Sequence, residues 1–292
     1  MYAEAREKPS ISYGLGAGAQ VTDFKFWIIA GELTGQGVCS RVGGMSEEQL
    51  KLTGAWLKTP LGRWCLAAEQ RLVRRVVDTI FGEQFLQIGV WGGADSFLRH
   101  ARTQRHALVD WRDGVGADML SEPGRLAIAS DSVDAVLLPH TLELTESPHA
   151  LLREVDRVLR ADGHLVTLTF KPGGPWGLRH AFARQGYPPG QRRIIGEGRL
   201  RDWLELLSYD VGPRTRYCHA LPFESLGRLG RLSEDAWLAR WLPLLSGGYL
   251  LRARKRVYPL TPIRPVWKRP RLKAVGGLVE PSARTSQSRI RQ

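Results

Sequence analysis

Cysteine is scarce in this chain. Cys39, Cys65 and Cys218 are the three present in 292 residues, widely spaced and odd in number. That spacing spells neither a disulfide framework nor a paired-cysteine zinc pattern, so no metal is expected and the expected compartment is a reducing one. Long apolar runs are missing as well. The best near the start, "FKFWIIAG" at 24–31, is far shorter than the roughly 18 to 20 residues of a bilayer span, and no basic-then-apolar leader opens the chain. A cytoplasmic protein with no membrane span is the expectation. A GxGxxG dinucleotide fingerprint is also absent, which argues against a nicotinamide-dependent oxidoreductase. Acidic residues are in deficit, 29 against 42 Lys and Arg, for a net charge of +13.

The excess charge is not evenly spread. Residues 258–292 carry eight Lys or Arg against Glu280 alone, a net +7, which leaves +6 for the first 257 residues. This segment is also rich in proline and ends in a Ser/Arg/Gln-rich run, so it reads as a disordered basic tail. It either serves only as a solubilising end or makes weak contact with RNA or another polyanion. At the other end, residues 1–44 are broken by glycine and show no sustained period. Met45 opens "MSEEQL", and the natural start is expected there. Between them, 45–257 form the folded domain, with 43% hydrophobic residues over the whole chain to fill its core.

Within that domain the pattern is orderly. Thr59 and Pro60 begin a helical run in which Leu61, Trp64, Cys65, Ala68, Leu72, Val76 and Ile80 recur on one face. Short apolar runs "QFLQIGV", "HALVDW", "VDAVLLPH" and "HLVTLTF" read as strands. Before the last of them, "SPHALLREVDRVLRADG" reads as a helix capped by Ser147, opened by Pro148 and stopped by Asp162-Gly163. Strands alternating with amphipathic helices imply a doubly wound α/β domain, Rossmann-like, with a mostly parallel sheet. Later, "EGRLRDWLELLSYDVG" supplies a helix and "GGYLLRARKRV" a strand near an edge.

The segment "LQIGVWGGAD", residues 86–95, sits between a predicted strand and the next element, where parallel sheets bind ligands and glycine lets a backbone approach them. The following strand ends at Asp110, 21 residues after Gly89, a distance at which an acid can receive ribose hydroxyls. The next stretch, "ASDSVDAVLLPHTLELTESPHALLREVDRVLRADGHLVTLTF", resembles the fourth-to-fifth-strand region of class I S-adenosylmethionine-dependent methyltransferases of the type 11 kind, in a small bacterial branch. Asp134, residues 151–159, Asp162-Gly163 and residues 165–170 fall on that family's features in order. With the glycine loop and Asp110, the resemblance spans about 50–257.

The resemblance implies S-adenosyl-L-methionine as cofactor and a set of residues for it. The family's motif is an acid, an apolar residue, then glycine-x-glycine-x-glycine. Gln87 stands at the acidic position, Gly89 at the first glycine, Trp91 at the second and Gly93 at the third, so two of the four features depart. Gln87 can accept through its carbonyl oxygen but carries no charge, and the Trp91 ring must point away from the pocket or sit in it. Asp110 matches the ribose acid, with a helix-capping carboxylate as the alternative; Asp118 and Glu122 both compete for the adenine-side acid.

Methyl transfer from a sulfonium is an in-line displacement that rests chiefly on positioning. The candidate catalytic group is His140 in "PHTLE", with Glu143 one turn on; a base at neutral pH and a histidine that merely fixes its turn are both open readings. The Gly/Pro/aromatic stretch after the fifth strand suits a lid, with Trp176, His180, Phe182 and Tyr187 lining an acceptor site or packing as plain core cover. The resemblance therefore implies a methyltransferase acting on an unknown methyl acceptor or, given Gln87 and Trp91, a catalytically silent relative that serves as a binding or scaffold protein.

Overall fold

The computed structural model describes residues 47–112, 116–223 and 245–257. The expectations about residues 1–44, the start at Met45 and the tail at 258–292 lie outside them. Two helices open the described chain, α1 (Glu47–Lys58) and α2 (Pro60–Val77). The predicted cap of α2 is present: the Thr59 hydroxyl accepts from the Gly62 amide at 3.1 Å, with Pro60 at the first position, where its missing N–H costs nothing.

The sheet then alternates with helices: β1 (Gln84–Ile88), α3 (Asp95–Leu98), β2 (Arg105–Asp110), β3 (Met119–Leu120), β4 (Val133–Pro139), α4 (Thr141–Leu144), α5 (Pro148–Val158), β5 (Leu159–Phe170), α6 (Gly174–Phe182), α7 (Glu197–Leu206), β6 (Tyr209–Val211), β7 (Thr215–His219) and β8 (Ser246–Lys255). Their order across the sheet is β3-β2-β1-β4-β5-β8-β6, with β7 also paired to β8. The first five strands run parallel, and β8 is antiparallel to β5, β6 and β7. The strand order reverses between β1 and β4, and sheets of this kind bind ligands beyond the carboxyl ends of the strands at such a switch point.

One boundary differs from the sequence expectation. Asp162-Gly163 does not stop α5, which ends at Val158, and Ser147 makes no side-chain cap bond. Leu159 already pairs with Val133, and His164 with Ala135, so the intervening residues bulge out of β5 with Asp162 in the left-handed region (φ 65°). Asp134, beside this bulge, accepts from the Glu83 and Gln84 amides, each at 2.8 Å, and fixes the start of β1.

Apolar side chains fill both faces of the sheet. One face packs against α5 and α7 through Leu151, Val155, Leu200 and Leu204. The other carries α1 and α2 and is dominated by aromatics: Trp56, Trp91, Phe170, Trp176, Tyr187 and Tyr217. Close approach on this side depends on glycine at the start of β8. A Cβ on Gly248 would sit 2.4 Å from the Tyr217 ring, and one on Gly247 would sit 2.7 Å from the Trp176 indole. Cys65 of α2 and Cys218 of β7 form a disulfide across a sequence separation of 153. No local pattern announces this pairing, because two cysteines that far apart are joined only by the fold; the cysteine count therefore says nothing about the compartment. Among the described residues no helix is long and apolar enough to cross a membrane, and no group of His, Cys, Asp and Glu is placed to hold a metal ion.

Candidate cofactor site and the buried network behind it

The glycine loop leaves β1 at this switch point. Gly89 adopts φ 91° and its amide donates to the Val109 carbonyl of β2 at 2.8 Å, which turns the chain out of the sheet. A Cβ there would lie 2.7 Å from the Thr141 hydroxyl oxygen, and that hydroxyl donates to the Ile88 carbonyl. Gly92 is likewise left-handed (φ 83°). Asp110, at the end of β2, accepts from the Val90 amide at 2.8 Å. Two motifs about 20 residues apart thus meet in direct contact.

The Asp110 carboxylate is also held by Arg112. The guanidinium reaches it at 2.6 Å through Nε and at 2.5 Å through Nη2, and the Arg112 amide adds a third bond at 3.0 Å. Both side chains are almost sealed from solvent. A carboxylate offers about four acceptor positions, and all are taken in this arrangement. Among the described residues Asp110 caps no helix; it braces its own strand end and the glycine loop. Gln87 is fully buried, its Nε2 donating to the Gly89 carbonyl at 2.9 Å, while its Oε1 has no hydrogen-bond partner. Gly93 lies in the open part of the loop, where a Cβ would make only an ordinary contact with Ser96.

Trp91 points inward. Its ring lies between α2 and the carboxyl ends of β1 and β4, 4.3 Å from the His140 ring and 6.3 Å from that of Trp56. Its indole N–H donates to Glu69 of α2 at 2.8 Å. His140 follows β4 with φ 59°, a left-handed conformation seldom adopted outside glycine. It is wholly buried and stacked on Phe170 at 4.1 Å. Its Nδ1 meets Glu143 at 2.7 Å, its Nε2 meets Glu69 at 3.1 Å, and the Tyr217 hydroxyl lies 3.2 Å from the same nitrogen. Glu143 in turn accepts from the Phe170 amide at 2.7 Å, tying the end of β5 to the turn after β4.

Burial alone would lower the His140 pKa, but the carboxylates of Glu69 and Glu143 outweigh it and raise it to about 9. At neutral pH the ring holds its proton and donates from both nitrogens. Burial raises the Glu143 pKa, with the bonds from His140 and the Phe170 amide pulling the other way. Burial, followed by Glu69 and Glu143, lifts Tyr217 well above the ordinary phenol value.

Glu69, Tyr217 and Arg112 were not singled out from the sequence. Glu69 did leave a signal, being an acid on the face of α2 that also carries Cys65, Ala68 and Leu72. Of the predicted lid residues, Trp176 and Tyr187 are buried and packed on Trp56, His180 braces the backbone of Tyr187, and Phe182 is 82% exposed. The two adenine-side candidates part company. Asp118 accepts from the Leu108 amide at 2.8 Å, whereas Glu122 is exposed and its backbone bridges to Arg125.

The donor set fits S-adenosylmethionine in part. A left-handed glycine loop and the partnerless Gln87 Oε1 suit its amino-acid end, but Asp110 as it stands offers nothing to a ribose until Arg112 releases it.

A mostly parallel sheet with a glycine loop and a strand-end acid at its switch point defines a doubly wound, Rossmann-like α/β domain. A family profile described as "Methyltransferase domain" matches residues 83–167. The chain is similar to Uncharacterized protein YafS of Escherichia coli (strain K12), 32% identical over 225 residues, which is 76% of this chain and 90% of that protein. It also matches Uncharacterized protein Rv2003c of Mycobacterium tuberculosis, 34% identical over 145 residues, 47% of this chain and 50% of that one. Among solved structures, a SAM-dependent methyltransferase, possible histamine N-methyltransferase, of Thermotoga maritima superposes with a TM-score of 0.53 at 15% identity, covering 71% of this chain and 96% of its own. The putative methyltransferase solved in complex with the Haloferax volcanii Trm112 methyltransferase activator gives 0.52 at 14%, covering 72% and 98%. The chain belongs to the class I S-adenosylmethionine-dependent methyltransferase family.

Proposed function

We propose that the protein is an S-adenosylmethionine-dependent methyltransferase acting on an acceptor of unassigned chemistry. One observation carries this reading: the Val90 amide of the glycine loop bonds to Asp110 at 2.8 Å, so the loop and the ribose acid share one place at the switch point. Bound there, the cofactor supplies a methyl group on a sulfonium. The backbone of residues 89–93 would hold its amino-acid end, with Gln87 Oε1 as acceptor for the ammonium. Asp110 would take the ribose once the guanidinium of Arg112 swings away. His140 acts as a positioning residue, since it holds its proton between Glu69 and Glu143 and fixes the turn after β4. Trp91, Trp56 and Phe170 keep water from the inner side of the seat.

A second reading is favoured by the Arg112 clamp on Asp110 and by the Trp91 ring packed against His140. It is a catalytically silent relative that works through its surface as a binding or scaffold protein. Amide NMR shifts on addition of S-adenosylhomocysteine separate the two. Shifts centred on residues 87–93 and 110–112 support the methyltransferase. Saturating ligand without shifts there supports the silent relative.

A further inference from the structure

Two strands along the same carboxyl edge from the glycine loop, the chain leaves β5 as Lys171-Pro172-Gly173. These residues, with Glu197 at the start of α7, Arg214, Arg216 of β7 and Tyr249 of β8, line a cleft of about 310 Å³. Three cations from two segments, Lys171 after β5 and Arg214 and Arg216 at the start of β7, converge there on a single carboxylate. Glu197 is already engaged, by Arg214 and by Arg201 at 3.9 Å. Among the described residues no carboxylate lies within ion-pair distance of Arg216.

Burial and then the charges of Arg216 and Arg214 push the Lys171 ammonium below its usual value. His219, buried nearby on β7, is lowered by burial and by the same Arg216 and Lys171, and its Nδ1 has no hydrogen-bond partner. The four groups lining the cleft sum to +2, and the positive end of α7 adds to that field.

We propose that this cleft binds a small ligand through a dianionic phosphate group, gripped chiefly by Arg216 and Lys171. The guanidinium fork suits two phosphate oxygens at once and the ammonium a third. A small ligand is favoured over a polyanion because the cations converge on one cleft and do not run in a row along the surface. The cleft shares no residue with the glycine loop, so it stands whether or not methyl transfer occurs.

The test is titration of the full chain with phenyl phosphate at physiological salt, followed by calorimetry and by amide NMR. Saturable binding is expected, with shifts at residues 171–173 and 214–216. Arg216→Gln and Lys171→Gln should each weaken it at least roughly tenfold, Arg216→Lys should recover part of the loss, and Arg71→Gln on the outer face of α2 should leave it unchanged. Because residues 258–292 also carry cations, dependence on these variants is the decisive readout, with thermal melts confirming that each one folds. Equal binding by all four variants, or no saturation, overturns the proposal. So does displacement by an oligoribonucleotide lacking terminal phosphates, because it would mark the cleft as part of a polyanion surface.

Discussion

The guanidinium of Arg112 closes on the carboxylate of Asp110 at two points, 2.6 and 2.5 Å, with both groups shut away from solvent. The acid proposed above to take a ribose is thus neutralised from within by a residue two positions along. A ligand that needs Asp110 must displace this pair, and its apparent affinity is reduced by the fraction of molecules in which the pair is open.

Removing the clamp should therefore help the ligand and hurt the fold. Arg112→Met is expected to tighten S-adenosylhomocysteine binding by roughly tenfold. Leaving a buried carboxylate without its partner should also lower unfolding free energy by about 3 kcal/mol. Calorimetry and urea denaturation on the same samples read the two effects separately.

Asp110→Ala is expected to act in the opposite direction on binding. Loss of hydrogen bonds from ribose to a charged acceptor should weaken affinity by about 1 to 3 kcal/mol. Affinity that survives the change would remove Asp110 from the site, whatever the variant does to the melting temperature.

The Trp91 indole can be separated from its ring volume. Trp91→Phe keeps an aromatic against His140 but removes the donor to Glu69, leaving one oxygen of a buried carboxylate short of a partner. A loss of about 1 to 3 kcal/mol in denaturant unfolding is expected, and stability unchanged within error would mean that the bond is worth nothing.

Stability should fall as pH rises through 9. His140 is raised from an ordinary value of 6.5 to about 9 on folding. A raised histidine stabilises fully below the unfolded value, and the gain is lost as pH climbs through the folded one. Across pH 6.5 to 9.5 this site predicts a loss of about 3 kcal/mol, and in His140→Gln that slope should flatten.

The architecture was legible because its signals are local and repeated. Thr59-Pro60 opens α2, apolar runs mark β1, β2, β4 and β5, and one apolar face marks α5. Where local signals compete with pairing they misled: Asp162-Gly163 reads as a helix stop, yet Leu159 has already joined β4, so the same residues become a bulge. The loop and Asp110 could be placed by spacing, but what occupies them could not. Arg112 on Asp110, Glu69 under Trp91 and Cys218 on Cys65 are contacts that only the folded chain creates. The orientation of the Trp91 ring, open as pocket or core in the sequence, is settled by a hydrogen-bond partner 22 residues upstream.

The most direct measurement is a calorimetric titration of S-adenosylhomocysteine into the natural protein and Arg112→Met, side by side. A cofactor seat latched by Arg112 predicts micromolar binding by the natural chain and tighter binding by the variant. No binding by either, with both proteins folded, would contradict it and leave a methyltransferase fold that no longer takes the cofactor.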